Sequence, residues 1–132
     1  NFATWCLFDH QLGRADITSL QHLPSDTFDE LLDVAQDGVI IVAAFDGNLP
    51  VAFAYVASET ETLWDVSIDT LESYRRRGYA SAAAIALMHL MMQRGKTAVW
   101  GALESNLASR ALALHLGFVE VDRLWVLSRT DD

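Results

Sequence analysis

Three consecutive arginines, Arg75, Arg76 and Arg77, run into Gly78, Tyr79, Ala80 and Ser81, where a long apolar segment opens. The segment reads as a helix whose first N–H groups have no partner within the helix. The helix dipole adds roughly half a positive charge at that end, and the arginines add more. Gly78 and the small Ala80 let an anion come close to the main chain. The chemistry that suits this combination is the holding of a phosphate or pyrophosphate. The same residues also describe a solvated arginine cluster ahead of a helix. Neither the Gly-Lys-Ser/Thr ending of a P-loop nor a GxGxxG run is present, so the two common nucleotide fingerprints are missing.

Acidic residues form the second group of interest. Over residues 63–70, Trp64, Val66, Ile68 and Thr70 alternate with Asp65, Ser67 and Asp69, the period of a strand with one apolar and one polar face. Asp65 and Asp69 stand about 13 Å apart at ~3.3 Å per residue, too far for a close carboxylate dyad. Glu104 falls at the mouth of the next strand, beside Asn106. Asn106, Ser109 and Arg110 share one helical face at i, i+3 and i+4, and Asn106 is also a good N-cap. His10, His22, His89 and His115 show no HxxxH or HExxH spacing, and Cys6 is the single cysteine. A metal site is therefore not expected.

The elements that must position these groups follow from periodicity. Residues 2–8 suit a strand, and residues 17–23 an irregular connection. A helix opens at Pro24-Ser25, with Ser25 as N-cap and Asp26, Asp29 and Glu30 at the positive end of the dipole. Phe28, Leu31, Leu32 and Ala35 form its apolar stripe, and Gly38 stops it. Residues 39–45 form a buried strand, Asp46-Gly47-Asn48 a hairpin turn, and residues 49–57 the return strand, with Pro50 at its start. The strand at 63–70 follows. The helix over 79–94, closed by Gly95, is apolar nearly all round, which predicts burial on several sides. A strand over 97–103, a helix over 106–116 ended by Gly117, and a strand over 118–127 complete the order. Trp64, Trp100, Phe118 and Trp125 read as core, and Trp5 as core or as a wall of an acceptor site.

That order implies an α+β domain with a mixed sheet. The 132 residues suffice for one core that buries roughly two-thirds of the unfolded surface. An apolar fraction of 52% against 20% charged excludes intrinsic disorder. A net charge of −9 argues against nucleic acid or an anionic membrane as partner and suits an amine or cationic substrate. The longest apolar runs have seven residues, far below the ~20 that span a bilayer. With no signal peptide visible, a cytoplasmic location is expected. The first residue is Asn1, which fits a trimmed chain or the C-terminal part of a longer one.

Arg75-x-x-Gly78-x-Ala80 resembles the acyl-CoA pyrophosphate signature, Gln/Arg-x-x-Gly-x-Gly/Ala, of the GNAT superfamily of N-acetyltransferases. The surrounding order is similar too: hairpin, strand, signature, long helix, strand, then Asn106-x-x-Ser109 and Leu116-Gly117-Phe118. The likeness covers residues 39–127, with residues 1–38 matching poorly, within one domain. Tyr74-Arg75-x-x-Gly78 and Trp100 with Asn106-x-x-Ser109 also resemble a subgroup that includes an antibiotic-resistance acetyltransferase. The resemblance implies a mostly antiparallel sheet flanked by helices, with two splayed strands forming an acyl-CoA cleft.

It also implies roles. The main chain of Ile68, Asp69 and Thr70 pairs with the pantetheine arm. Arg75, Arg76, Arg77, Gly78, Tyr79, Ala80 and Ser81 hold the pyrophosphate, mainly through main-chain N–H groups of residues 76–81. Asn106 bonds the arm, and Ser109 or Arg110 reaches the phosphates. The reaction implied is direct attack of a neutral amine, on a small molecule or a peptide, on the thioester of acetyl-CoA. Asp65 is the first candidate for general base and Glu104 the second; an ordinary surface carboxylate is the competing reading of each. Many relatives carry a general-acid Tyr seven residues after the Asn, but that position here is Ala113. His115 lies about 200° further round the helix and does not substitute. A thiolate with pKa near ~8.5 leaves without a strong acid. An acyl-CoA sensor without catalysis is the alternative, and an unrelated α+β domain whose arginine loop binds another anion is a third reading. A homodimer is compatible with the enzyme reading.

Overall fold

Sheet order follows chain order, β1-β2-β3-β4. The computed structural model describes Leu20, residues 22–37, residues 39–125 and Leu127. The strand expected at residues 2–8 and the stop at Gly38 lie outside them. Helix α1 (Ser25–Gln36) is followed by β1 (Ile41–Asp46), β2 (Leu49–Glu59) and β3 (Leu63–Thr70). A one-turn 3-10 helix (Glu72–Tyr74), α2 (Tyr79–Gln93), β4 (Thr97–Val99) and α3 (Leu107–His115) complete the series. The first three strands are antiparallel, and β4 runs parallel to β3.

The hairpin forms where Asp46-Gly47-Asn48 predicted it, with Gly47 at φ +61°. A bulge follows at once, since Ala44 faces Ala52 while Phe45 faces Pro50. Strand β3 keeps the expected alternation: Trp64 and Val66 are buried, while Asp65, Ser67 and Asp69 are partly open on the other face. The first sheet face carries Val42, Ala44, Ala52, Ala54, Val56, Trp64 and Val66 against Ala83, Ala86, Leu87 and Met91 of α2. The second carries Ile41, Ala43, Phe53 and Tyr55 against Leu31 of α1, with Phe28, Leu32 and Ala35 beside it. Full burial of a side chain such as Leu31 or Leu87 contributes about 1.5–3 kcal/mol.

Several expectations need correction. Pro24, not Ser25, occupies the N-cap of α1, and no side chain caps that end. The Pro24 carbonyl accepts from Phe28 N–H at 2.9 Å, and a proline loses nothing there by lacking its own N–H. Helix α2 is buried on several sides, as its composition predicts, but keeps one open stripe: Ile85 is 40% and Met92 67% exposed, and His89 lies exposed between them. Strand β4 stops at Val99 instead of continuing to residue 103. No strand forms among the described residues of 118–127, where Val119, Val121, Leu124, Trp125 and Leu127 are at least 76% exposed. Alternation makes these residues fit for a strand, but a strand also needs a neighbour to share its ladder, and none of the described strands pairs with them. No described helix is long and apolar enough to cross a membrane.

Candidate functional site

The site begins where two strands part. Strands β3 and β4 pair only through Leu63–Thr97, Trp64–Ala98 and Asp65–Val99. Beyond Asp65, β3 continues to Thr70 with β2 on one side and no described strand on the other. Alternation identifies the groups that border the opening. Leu71 N–H donates to Val51 O of β2, and Thr62 O accepts from Thr97 N–H of β4. Main-chain groups change side at each residue. Ser67 and Asp69 therefore turn theirs to β2, while Val66, Ile68 and Thr70 turn theirs to the open side. Of the three residues expected to present main chain to a pantetheine arm, Ile68 and Thr70 turn theirs to the open side. Asp69 instead contributes its side chain, on the opposite sheet face from α2.

The end of β3 leads directly to the arginine loop. Among the described residues, Arg76 is the one non-glycine with positive φ, at +64°, and Gly78 follows at +89°. Such conformations cost an L-residue about 1–2 kcal/mol and concentrate where function requires them. Gly78 is the N-cap of α2, and no side chain caps that end. Tyr79 is buried while Arg75, Arg76, Arg77 and Gly78 are exposed; Ala80 and Ser81 are partly buried. Two arginines are oriented by neighbours. Arg75 Nε donates to Thr70 O at 3.4 Å, and the Arg77 guanidinium lies 5.4 Å from the centre of the Tyr74 ring. Tyr74 meets Tyr79 edge-on at 5.7 Å. The turn thus presents cationic side chains and the first N–H groups of a helix in one place, which is an anion-binding arrangement.

The start of α3 forms a second wall. Asn106 does cap it, its Oδ1 accepting from Ser109 N–H at 3.1 Å. The Ser109 hydroxyl accepts from Trp100 Nε1 at 3.0 Å, and Trp100 packs against Phe118 at 5.3 Å. Arg110 Nη1 donates to Glu104 O at 3.1 Å. Asn106, Ser109 and Arg110 therefore build the loop between β4 and α3, with the Asn106 amide nitrogen still available as a donor. Ala113, seven residues after Asn106, is buried and offers no acid there.

The two candidate bases sit differently. Asp65 stands at the last rung before the strands part, half-buried on the face away from α2. Glu104 faces solvent, its side chain 82% exposed and 3.8 Å from Arg123. On the Asp65 face lies a network that sequence reasoning missed. Tyr55 O–H donates to Glu30 Oε1 of α1, and Ser67 lies within hydrogen-bonding reach of Tyr55, which it faces across the strands. Asp69 lies within reach of Glu30. Its carboxyl is pushed up to about 7, by burial first, then by Glu30 and Asp26, with Arg75 opposing. Burial and Glu30 raise the Tyr55 hydroxyl well above its usual range. Glu30 had read as an acid serving the dipole of α1; only the register of β2 on β3 could have linked it to Asp69. No group of three or more potential metal ligands occurs among the described residues.

The architecture is that of known acetyltransferases. The aminoglycoside N-acetyltransferase AAC(6')-Iy in complex with CoA aligns with a TM-score of 0.72 at 17% identity, over 92% of this chain and 98% of that one. AAC(6')-IG from Acinetobacter haemolyticus gives 0.70 at 19% identity, over 93% and 98%. Ribosomal-protein-alanine N-acetyltransferase from Brucella melitensis biovar Abortus 2308 gives 0.71 at 18%, over 92% and 97%. A comparison with curated protein sequences finds no match. Residues 10–127 match the GNAT acetyltransferase family, and with the splayed strands and the arginine loop in place, the chain belongs to that family, whose chemistry is acetyl transfer with acetyl-CoA as co-substrate.

Proposed function

We propose that this chain moves the acetyl group of acetyl-CoA to a primary amine of a small molecule or peptide. The observation that carries the reading is the parting of β3 from β4 after Asp65, opening toward the uncapped start of α2. In this reading the pyrophosphate lies against the N–H groups of residues 76–81, with Arg75, Arg76 and Arg77 around it. The pantetheine arm adds to the open edge of β3 at Val66, Ile68 and Thr70, as an extended segment adds to a sheet edge. Asn106 donates to the arm from the other wall.

The direction of approach limits the acceptor. Helix α2 packs over Trp64 and Val66 on one face of β3, so the amine enters from the other face, where Asp65, Ser67 and Asp69 project. The lone pair of the neutral amine bonds to the acetyl carbon, and a main-chain N–H of the β3 edge stabilises the oxyanion. Asp65 is the proposed base, taking the N–H proton that the new C–N bond makes acidic, directly or through water, as the oxyanion collapses and the C–S bond breaks. The thiolate takes its proton from solvent, since Ala113 offers none. The net charge of −9 supports a cationic acceptor and no nucleic-acid partner. Aminoglycosides and an alanine-bearing peptide amine, after the acceptors named for the structural neighbours, are the first amines to try.

Mass spectrometry of amines incubated with acetyl-CoA tests the reading. A mass increase of one acetyl group on one class of amine, at a rate far above the enzyme-free control, is expected. The buried Ala113 favours one second reading, an acyl-CoA sensor without turnover. CoA binding with no acetylated product across the panel would select it.

A further inference from the structure

Four polar side chains on the acceptor side of the sheet form a chain that the transfer reaction does not use. Tyr55 lies on β2 and is 3% exposed. Opposite it on β3 is Ser67, and two residues along is Asp69, opposite Phe53. Glu30 reaches them from α1. Tyr55 O–H donates to Glu30, leaving that carboxylate further lone pairs. Asp69 Oδ2 is fully buried and has no hydrogen-bond partner, although the Glu30 carboxylate lies beside it. Two carboxylates side by side are acceptors only, and a buried acceptor without a donor is costly. One proton on Asp69 removes the conflict, turning its carboxyl into a donor to Glu30.

We propose that Asp69 keeps its proton in the working state, and that the resulting O–H bond to Glu30 clamps α1 to β3, so that the pair acts as positioning residues for the open strand edge. The inference rests on the acyl-CoA reading for what that edge does, but the bridge itself does not. Glu30 then accepts from two donors, Tyr55 and Asp69, that sit on different strands. Asp69 occupies the strand position between Ile68 and Thr70, the two residues whose main chain borders the opening. A clamp on its side chain therefore sets the line of that edge. The charged and titratable groups facing the bridge are Asp26 and Glu30 on α1, Tyr55 on β2 and Arg75 in the loop. Asp26 and Glu30 favour the proton and Arg75 opposes it. Loss of the proton above neutrality sets two carboxylates against each other and loosens the clamp.

Two measurements on the whole chain test the proposal. Difference infrared spectroscopy between the wild type and Asp69→Asn reads the proton directly. A protonated carboxyl band at pH 6 that disappears in Asp69→Asn is expected; its absence at pH 6 overturns the bridge. Calorimetric titration with CoA from pH 6 to 8.5 reads the positioning. The ratio of wild-type to Glu30→Gln affinity cancels the titration of CoA itself. The amide introduced by Glu30→Gln keeps an acceptor for Tyr55 and offers Asp69 an N–H, so no repulsion develops as the pH rises. The ratio should be near one at pH 6 and fall by about fivefold or more at pH 8.5, the scale of an ordinary coupling between sites. A ratio that stays constant overturns the positioning role even if the infrared band is present. Asp69→Asn, which donates to Glu30 at every pH, should follow Glu30→Gln. If it instead binds CoA normally and loses turnover at every pH, Asp69 is the base and the positioning role is wrong. Absence of CoA binding at every pH, with the band present, would count against the acyl-CoA reading and leave the proton bridge standing.

Discussion

Replacing Gly78 by Ala separates the ligand role of the arginine loop from its role in the fold, because the chain supplies its own control. Gly78 stands at φ +89° before α2 and Gly95 at φ +76° after it. An L-residue in that region costs about 1–2 kcal/mol. For 132 residues the unfolding entropy converts this into a Tm loss of about 4–7 °C for either alanine variant. A Cβ at Gly95 has nothing within 4 Å, so strain is its only effect. Gly78 is also the N-cap of α2, next to the N–H groups proposed for the pyrophosphate, so a side chain there competes with the ligand for that space. Loss of one hydrogen bond to a charged group costs about 1.5–3 kcal/mol, or about 10–100-fold in affinity. Calorimetric titration with CoA, beside thermal melts, should show equal losses in Tm and a loss of affinity in Gly78→Ala alone. Equal affinities in folded Gly78→Ala and Gly95→Ala would refute the placement of the phosphates at this turn.

Other expectations follow from the same geometry. Asp65→Asn should lower kcat by about 10²–10⁴-fold while CoA affinity stays constant; a mutant with wild-type turnover and an unchanged pH–rate profile removes Asp65 from the mechanism, and Glu104→Gln would be examined next. Asn106→Ala should lower stability by about 1 kcal/mol through the lost N-cap of α3 and also weaken CoA binding, whereas a purely structural role would change only the denaturation midpoint. The Asp69 carboxyl, raised from 3.8 to about 7 in the fold, favours the folded state fully below pH ~4. That contribution declines as the pH rises from about 4 to about 7 and is absent above. Denaturant titrations across this range should show the decline in the wild type and a flatter profile in Asp69→Asn.

What the sequence disclosed and what it concealed divide along local and long-range lines. The alternation of Trp64, Val66, Ile68 with Asp65, Ser67, Asp69 was legible because it depends only on period two and on which face meets the core. The Asp46-Gly47-Asn48 turn and the Gly78 junction were legible because glycine marks positive φ. The early end of β4 was not. Residues 97–103 carry no sign of their own that the strand leaves its neighbour after Val99; only the family resemblance implied splayed strands, since their parting is decided by the packing around them. Residues 118–127 have a strand pattern without a strand among those described, because pattern gives aptitude and pairing requires a neighbour. The main-chain direction of Asp69 depends on which side β2 lies, and the Glu30–Tyr55–Asp69 network joins one helix to two strands far along the chain. Neither is visible before the sheet is assembled. The Asn106 cap shows the reverse: the ordinary structural reading held, and it leaves the amide nitrogen for a ligand.

The most direct test of the central claim is amide hydrogen exchange with and without acetyl-CoA, resolved to short peptides. The account predicts that acetyl-CoA slows exchange at residues 66–70, where the strand edge is open, and at residues 76–81, where the helix N–H groups meet the phosphates. It also predicts little change at the exposed residues of α1. Protection confined to other segments, or no protection at millimolar acetyl-CoA, would contradict it.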